Sequence, residues 1–218
     1  MKKFDITFLH TDEIHINNFQ LLIDELAPEL TTHHIVNESL LLHAQKYGVD
    51  STLTESLNAL LLPLSEQSRL LLCTCSSIGS VVEKMSFNND CSFQRIDRAM
   101  ANDAVEKYQN ILVVAALEST IEPTKTLLEE SCIAKNRQPS VDLIMVKEAW
   151  SYFLSGQQDR YLMAIVDAVQ QKQEDYDAVI LAQASMAAAS TKGTFSIPVL
   201  SSPKLGIIHA LDTIDALT

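Results

Sequence analysis

Glycine, proline and basic residues are scarce in this 218-residue chain. Six prolines and five glycines are too few for a linker-rich or disordered protein. The 16 lysine and arginine residues are outnumbered by 28 aspartate and glutamate residues, which gives a formal net charge of −12. Such a surface repels phosphate backbones and anionic membranes, so neither nucleic acids nor membranes are expected partners. A small anionic substrate stays compatible with this charge, because backbone N–H groups attract anions locally.

Long apolar segments and nucleotide-binding motifs are missing as well. No stretch approaches the roughly 18 apolar residues that span a bilayer, and Asp5 interrupts the N-terminal segment, which predicts a first strand and not a signal peptide. Cys73, Cys75, Cys91 and Cys132 are therefore expected to be reduced thiols in a cytoplasmic protein. The G-x-G-x-x-G and P-loop patterns are absent, so no nucleotide cofactor is expected.

Short apolar segments alternate with segments of helical spacing. The pattern predicts strands at 4–9, 33–36, 69–73, 110–115, 140–146, 177–181 and 197–200. It predicts helices at 14–26, 37–47, 52–63, 76–86, 97–108, 122–134, 158–172 and 205–217, with a short helix from about 184. This alternation is typical of α/β proteins in which helices cover both faces of mainly parallel sheets.

The chain contains an internal repeat. The segment LLCTCSSI at 71–78 aligns with VILAQASM at 179–186, which places Cys75 at the position of Gln183. A weaker similarity relates the segment near residue 4 to the segment near residue 111. Both halves then repeat the same order of strand, polar turn and helix, and the pattern predicts two lobes related by pseudo-twofold symmetry.

Cys75 is the strongest candidate for chemistry. It follows a predicted buried strand and precedes a predicted helix, and ligands of parallel sheets bind at the carboxyl ends of strands. The positive end of a helix dipole lowers the pKa of a thiol there, and Ser76 and Ser77 with their backbone N–H groups could hold a carboxylate. A structural cysteine at a strand end fits the spacing equally well. Cys73 is predicted to be a core residue.

Other residues, most of them polar, also directly follow predicted strands and are candidate substrate ligands. They are His10 and Thr11 after the first strand, Ser119 and Thr120 after the strand at 110–115, and Gln183, Ala184 and Ser185 after the strand at 177–181. Helix capping is the default role of Ser119 and Thr120. No metal site is expected, because His33 and His34 with a nearby cysteine have no known ligand spacing.

Several short segments together resemble one family. They are Cys75-Ser76-Ser77, Arg95-Ile96-Asp97, Ala115 to Thr120, Ala182-Gln183-Ala184-Ser185 and Ile197 to Ser202. In this order they resemble the aspartate/glutamate/hydantoin racemase superfamily. The resemblance implies a cofactor-independent enzyme with two α/β lobes, 1–95 plus 205–218 and 96–204, with the active site in the cleft between them.

The chain departs from that family at the second thiol. A cofactor-independent racemase needs an acid or base on each face of the α-carbon, and Gln183 stands where relatives have the second cysteine. Relatives of the arylmalonate decarboxylase type work with one thiol, although their cysteine belongs to the second half. The sequence therefore predicts an enzyme that acts next to a carboxylate through Cys75, as a racemase, isomerase or decarboxylase. The alternative is a non-catalytic carboxylate-binding or regulatory protein; homo-oligomer formation is left open.

Overall fold

The computed structural model describes residues 3–217, which form two compact units. One unit comprises residues 3–96 and 203–217, and the other comprises residues 97–202. These bounds differ by at most two residues from the lobes expected from the sequence, 1–95 plus 205–218 and 96–204. The assignment of those lobes as domains stays a prediction.

The first unit is built on a four-stranded parallel sheet of order β2-β1-β3-β4. Its elements are β1 (Phe4–His10), α1 (Ile14–Leu26), β2 (Thr32–Val36), α2 (Glu38–Tyr47), α3 (Ser51–Ser65), β3 (Ser68–Cys73), α4 (Ser76–Glu83) and β4 (Ser92–Arg95). The last helix of the chain, α10 (Ser202–Ala216), lies largely in this unit. It is held there by a bond from the Arg69 guanidinium to the Ile214 carbonyl oxygen at 2.8 Å and by a bond from the Gln94 amide to Thr213.

The second unit repeats this architecture with a sheet of order β6-β5-β7-β8, also parallel throughout. Its elements are α5 (Arg98–Lys107), β5 (Asn110–Ala115), α6 (Ile121–Lys135), β6 (Ser140–Met145), α7 (Lys147–Leu154), α8 (Gln158–Gln170), β7 (Ala178–Leu181), α9 (Ala189–Lys192) and β8 (Val199–Ser201). Single 3-10 turns occupy Glu118–Thr120, Gln173–Asp175 and Ala184–Met186. The predicted fold class, two α/β units each with a parallel sheet flanked by helices, is confirmed.

The central strands are buried along nearly their whole length, as expected for parallel sheets that helices cover on both faces. Residues 70–73 of β3 and residues 111–115 of β5 are at most 1% exposed. In the first unit, Leu53, Leu57 and Leu61 of α3 pack on this sheet. In the second unit, the apolar face of α8 forms the corresponding layer. Rigid central strands hold the residues that follow them at one edge of each sheet.

Two regular elements were not predicted from the sequence. Strand β4 has only four residues and carries the polar side chains of Gln94 and Arg95 at the edge of its sheet. Helix α7 has eight residues, of which only Ala149 is buried. Neither segment shows an apolar period long enough to be recognised.

Candidate active site

Cys75 is the N-cap residue of α4 at the carboxyl edge of the first sheet. It follows β3 by one intervening residue, Thr74, and its backbone is extended, with φ −103° and ψ 117°. The residue is partly exposed, whereas Cys73 is fully buried. The Cys73 thiol donates to the Cys75 carbonyl oxygen at 3.6 Å, so the two cysteines take the core and edge positions predicted from the sequence. All four cysteines, each within residues 3–217, lie outside disulfides.

Ser76 and Ser77 form the first turn of α4, as the sequence indicated, but their side chains are almost fully enclosed. Ser76 is 5% exposed and Ser77 is 2% exposed. The start of the helix, with its positive dipole end, therefore lies directly at Cys75. Carboxylate binding by the two serines stays a prediction.

A hydrogen-bonded array lies under the same edge of the first sheet. His10 Nδ1 is 2.8 Å from the Thr74 hydroxyl oxygen, and His10 Nε2 is 2.8 Å from His34 Nδ1. His34 Nε2 in turn lies 3.1 Å from the side-chain oxygen of Gln20 on α1. His10 is fully buried and both of its ring nitrogens have protein partners. Substrate contact by His10 stays a prediction.

Burial also fixes the charge state of these imidazoles. Burial, and then the neighbouring His15 and His34, lower the pKa of His10 to about 3. Burial lowers the pKa of His34 as well, and the neighbouring His33 adds to the effect. His10 is therefore neutral at physiological pH and can relay hydrogen bonds without carrying charge.

Thr11 and His15 flank the loop between β1 and α1. Thr11, predicted as a substrate ligand, is 6% exposed. His15 is 9% exposed, its ring centroid lies 6.1 Å from that of His10, and its Nδ1 has no hydrogen-bond partner within residues 3–217. Burial lowers the pKa of His15, although Asp12 opposes the effect. His15 adds a neutral imidazole to this edge that sequence reasoning missed.

Gln183 holds the matching position in the second unit but makes a structural contact. It follows β7 by one residue and caps the 3-10 turn Ala184–Met186 with an extended backbone, φ −125° and ψ 139°. Its Oε1 accepts the backbone N–H of Ala116 at 2.7 Å, and the residue is 7% exposed. This bond fixes the amide orientation, because the Ala116 N–H needs an oxygen acceptor. The other end of the amide, Nε2, is not bonded to Ala116.

The remaining predicted ligands lie at the carboxyl edge of the second sheet. Ser119 and Thr120 form the 3-10 turn after β5, and Thr120 is 1% exposed. Ala184 and Ser185 lie in the turn after Gln183 and are partly exposed. The Ser185 hydroxyl is 2.7 Å from the Tyr161 hydroxyl, whose pKa burial raises strongly. Substrate contact by these four residues stays a prediction.

Arg95 is the largest fully buried side chain near this edge of the first unit. It ends β4, is 2% exposed and packs against Gly79 of α4. A Cβ atom at Gly79 would lie 3.1 Å from Arg95 Cβ and 3.2 Å from its Nε. Glycine at this position therefore lets the arginine lie across the helix that Cys75 begins. The sequence pointed to Arg95 only through the family resemblance.

The open groove on the outside of the second unit contains none of the predicted site residues. It has a volume of about 850 Å³ and is lined by α6 and β6, including Leu128, Cys132, Ile133 and Val141. Burial and the neighbouring Glu129 raise the pKa of Cys132, which disfavours its reactive thiolate. Within residues 3–217 no three His, Cys, Asp or Glu side chains are grouped as a metal site, and no helix there is long and apolar enough to cross a membrane.

Sequence comparison and structural comparison give different results. No family model and no curated protein matches the sequence. Solved structures do match: an aspartate racemase from Picrophilus torridus has a TM-score of 0.70 at 12% identity, over 98% of this chain and 94% of that chain. A glutamate racemase from Bacillus anthracis has a TM-score of 0.70 at 14% identity, over 100% of this chain and 84% of that chain.

An arylmalonate decarboxylase variant also matches, with a TM-score of 0.56 at 13% identity over 98% of this chain and 94% of that chain. At such identities the likeness establishes the fold. The resemblance predicted from short sequence segments is thereby confirmed at that level, while the one-thiol site stays a prediction. This chain has the fold shared by aspartate and glutamate racemases and arylmalonate decarboxylase.

Proposed function

We propose that this chain is a racemase-like enzyme that acts at the carbon α to a carboxylate through the thiol of Cys75, without a cofactor. The observation that carries the proposal is the placement of Cys75. It is a partly exposed thiol at the N-terminus of an eight-residue helix, at the carboxyl edge of a parallel sheet. Ligands of parallel α/β sheets bind at that edge, and the helix dipole stabilises a thiolate there.

A single thiol supports two related reactions. The Cys75 thiolate can take the α-proton, so that the C–H electron pair moves into the carboxylate as an enediolate. The thiol then exchanges this proton with water and returns a solvent proton to the same carbon. With a malonate, loss of carbon dioxide generates the enediolate, the Cys75 thiol protonates it, and water restores the proton to sulfur. Each step needs one acid or base whose pKa suits the reaction.

The amide at Gln183 favours this one-thiol chemistry over two-thiol racemisation. An amide does not exchange protons as an acid or base at neutral pH, and Gln183 Oε1 is already bonded to the Ala116 N–H. The substrate class is a small molecule with a carboxylate next to an acidic carbon. The solved relatives include proteins named as aspartate and glutamate racemases and an arylmalonate decarboxylase, which defines the first substrates to test.

The test is NMR in heavy water with both enantiomers of aspartate and glutamate, 2-phenylpropionate and phenylmalonate. We expect α-deuteration or carbon dioxide release by the wild-type chain. Cys75→Ala should lower that rate by about a hundred- to ten-thousand-fold, whereas the matched variant Cys91→Ala should keep it. Equal rates in wild type and Cys75→Ala would refute the proposal. Saturable binding of these acids with no turnover would favour the non-catalytic carboxylate-binding alternative.

A further inference from the structure

The partly buried array of Gln20, His34, His10 and Thr74 at the edge of the first sheet has one consistent arrangement of hydrogens in its neutral form. Gln20 sets its direction. The Gln20 Nε2 group donates to Asp24 Oδ1 at 2.7 Å, and its Oε1 accepts from the Thr32 hydroxyl at 2.9 Å. Reversing the amide would place its oxygen against the Asp24 carboxylate, so the reversed orientation is excluded.

Each following proton position is determined by the one before it. Because Gln20 Oε1 is an acceptor, His34 Nε2 must carry the hydrogen in the 3.1 Å contact. A neutral His34 then has a bare Nδ1, which accepts from His10 Nε2–H at 2.8 Å. His10 Nδ1 is in turn bare, and it accepts from the Thr74 hydroxyl at 2.8 Å. The same hydroxyl lies 3.2 Å from the Leu9 carbonyl oxygen, so its one hydrogen is shared between two acceptors, of which His10 is the nearer.

The array ends at the residue directly before Cys75. The Thr74 backbone N–H donates to the Leu9 carbonyl oxygen at 3.0 Å, so Thr74 is held by both its backbone and its side chain. Thr74 is 2% exposed, and the adjacent Cys75 carbonyl accepts the backbone N–H of Ile78 at 3.4 Å. A change in the Thr74 backbone would therefore move the Cys75 side chain relative to the start of α4.

The second unit lacks the side-chain hydrogen bond that holds Thr74, so this bond is specific to the unit with the thiol. There the backbone N–H of Ala182 donates to the Val114 carbonyl oxygen at 3.0 Å, the counterpart of the bond from Thr74 to Leu9. Ala182 has no hydroxyl, however, and the turn is held by Gln183 and the Ala116 N–H. The two units share the backbone frame and differ in the side chains that fix the turn.

We infer that His34, His10 and Thr74 are positioning residues, which fix the Cys75 thiol at the N-terminus of α4 through one directed chain of hydrogen bonds. The inference rests on the proposed function and adds a supporting layer to the same site. The titratable groups that act on His10 are His34 on β2 and His15 on α1. His33 acts on His34, and Asp12 in the loop before α1 acts on His15. Asp24 lies at the far end of the array, beyond Gln20.

The first test is the tautomeric state of the two histidines, measured by ¹⁵N–¹H correlation NMR on the full chain at pH 7. We expect His10 and His34 each to carry hydrogen on Nε2 and to show a bare Nδ1. An Nδ1–H tautomer or an imidazolium at either residue would overturn the directed chain. This measurement does not depend on any catalytic activity.

The second test is the pH profile of iodoacetamide alkylation at Cys75, with Cys132 in the same digest as an internal standard. Thr74→Val keeps the shape of the side chain and removes the hydroxyl. It should slow alkylation of Cys75 by about two- to fivefold, the range set by a weakened helix-dipole interaction, and shift the profile to higher pH. Thr74→Ser restores the hydroxyl and should restore the profile.

The outcomes separate the positioning role from the proposed function. A Thr74→Val profile identical to that of wild type would overturn the positioning role, even with the predicted tautomers in place. A wild-type Cys75 that reacts as slowly as Cys132 would count against the catalytic thiol, while the NMR spectra would still decide whether the array exists. Loss of reactivity in Thr74→Val with rescue in Thr74→Ser supports the inference.

Discussion

Gln183 offers a sharp test of how the second unit is held together. Gln183→Leu keeps much of the side-chain volume and removes the acceptor for the Ala116 N–H, which lies 2.7 Å away. Ala116 is only 4% exposed, so water reaches the released N–H poorly. An unsatisfied buried donor costs about 1–3 kcal/mol. For a chain of this length, that penalty corresponds to a fall of about 2–12 °C in melting temperature.

Calorimetry of wild type, Gln183→Leu and the exposed control Gln171→Ala measures this penalty. Hydrogen exchange supplies a local readout, because the Ala116 amide should be protected in wild type and should exchange faster in Gln183→Leu. Gln171→Ala should change neither quantity. A Gln183→Leu variant as stable as the control, with an equally protected Ala116 amide, would refute the structural role assigned to this glutamine.

Three further predictions concern stability. A Cβ atom at Gly206 would overlap the Ile96 carbonyl oxygen, so Gly206→Ala should lower the free energy of unfolding by about 1–3 kcal/mol in urea denaturation; a stabilised variant would contradict the packing of α10. The pKa of His10 falls to about 3 on folding, so between pH 6.5 and 3 the unfolded chain binds a proton that the folded chain refuses. The free energy of unfolding should therefore fall as the pH is lowered through this window, and it should fall less steeply in His10→Gln. Equal slopes would count against a neutral His10. Burial by itself raises the pKa of Asp5, but hydrogen bonds from Thr31 and Arg69 outweigh this effect, so the pKa lies below its ordinary value. Asp5→Asn should therefore destabilise the chain at pH 7, and the loss should shrink as the pH falls below the ordinary pKa of aspartate; a loss that does not depend on pH would contradict this pairing.

The sequence predicted the central strands well because burial on both faces leaves a continuous apolar run. Residues 70–73 and 111–115 show this pattern and form β3 and β5. The internal repeat that aligns Cys75 with Gln183 was also informative. Cys75 follows β3 and Gln183 follows β7, and these are the third strands, in chain order, of two sheets with the same strand order. Edge strand β4 lacked such a signal, because it is short and includes polar residues. Its Arg95 is buried by contact with α4, which no periodic pattern in the sequence indicates.

The side-chain array at the candidate site could not be predicted in the same way. His10 bonds to Thr74 across 64 residues and to His34 across 24 residues, and no local pattern encodes either contact. The sequence points to His34 only as a candidate metal ligand, and no local pattern marks Thr74 or Gln20 as site residues. Pairing between parallel strands brought these positions together, because Leu9 lies opposite Cys73 and Phe8 lies opposite His34.

The proposed function requires that the Cys75 thiol performs the reaction. The most direct measurement titrates the wild-type chain with iodoacetamide and follows two quantities in each sample: the fraction of Cys75 modified, by peptide mapping, and the rate of α-deuteration or decarboxylation of the best substrate. We expect the rate to fall linearly and to reach zero when Cys75 is fully modified, and we expect the substrate to slow this modification. A rate that persists after complete modification of Cys75, or that follows Cys91 or Cys132 instead, would contradict the proposed function.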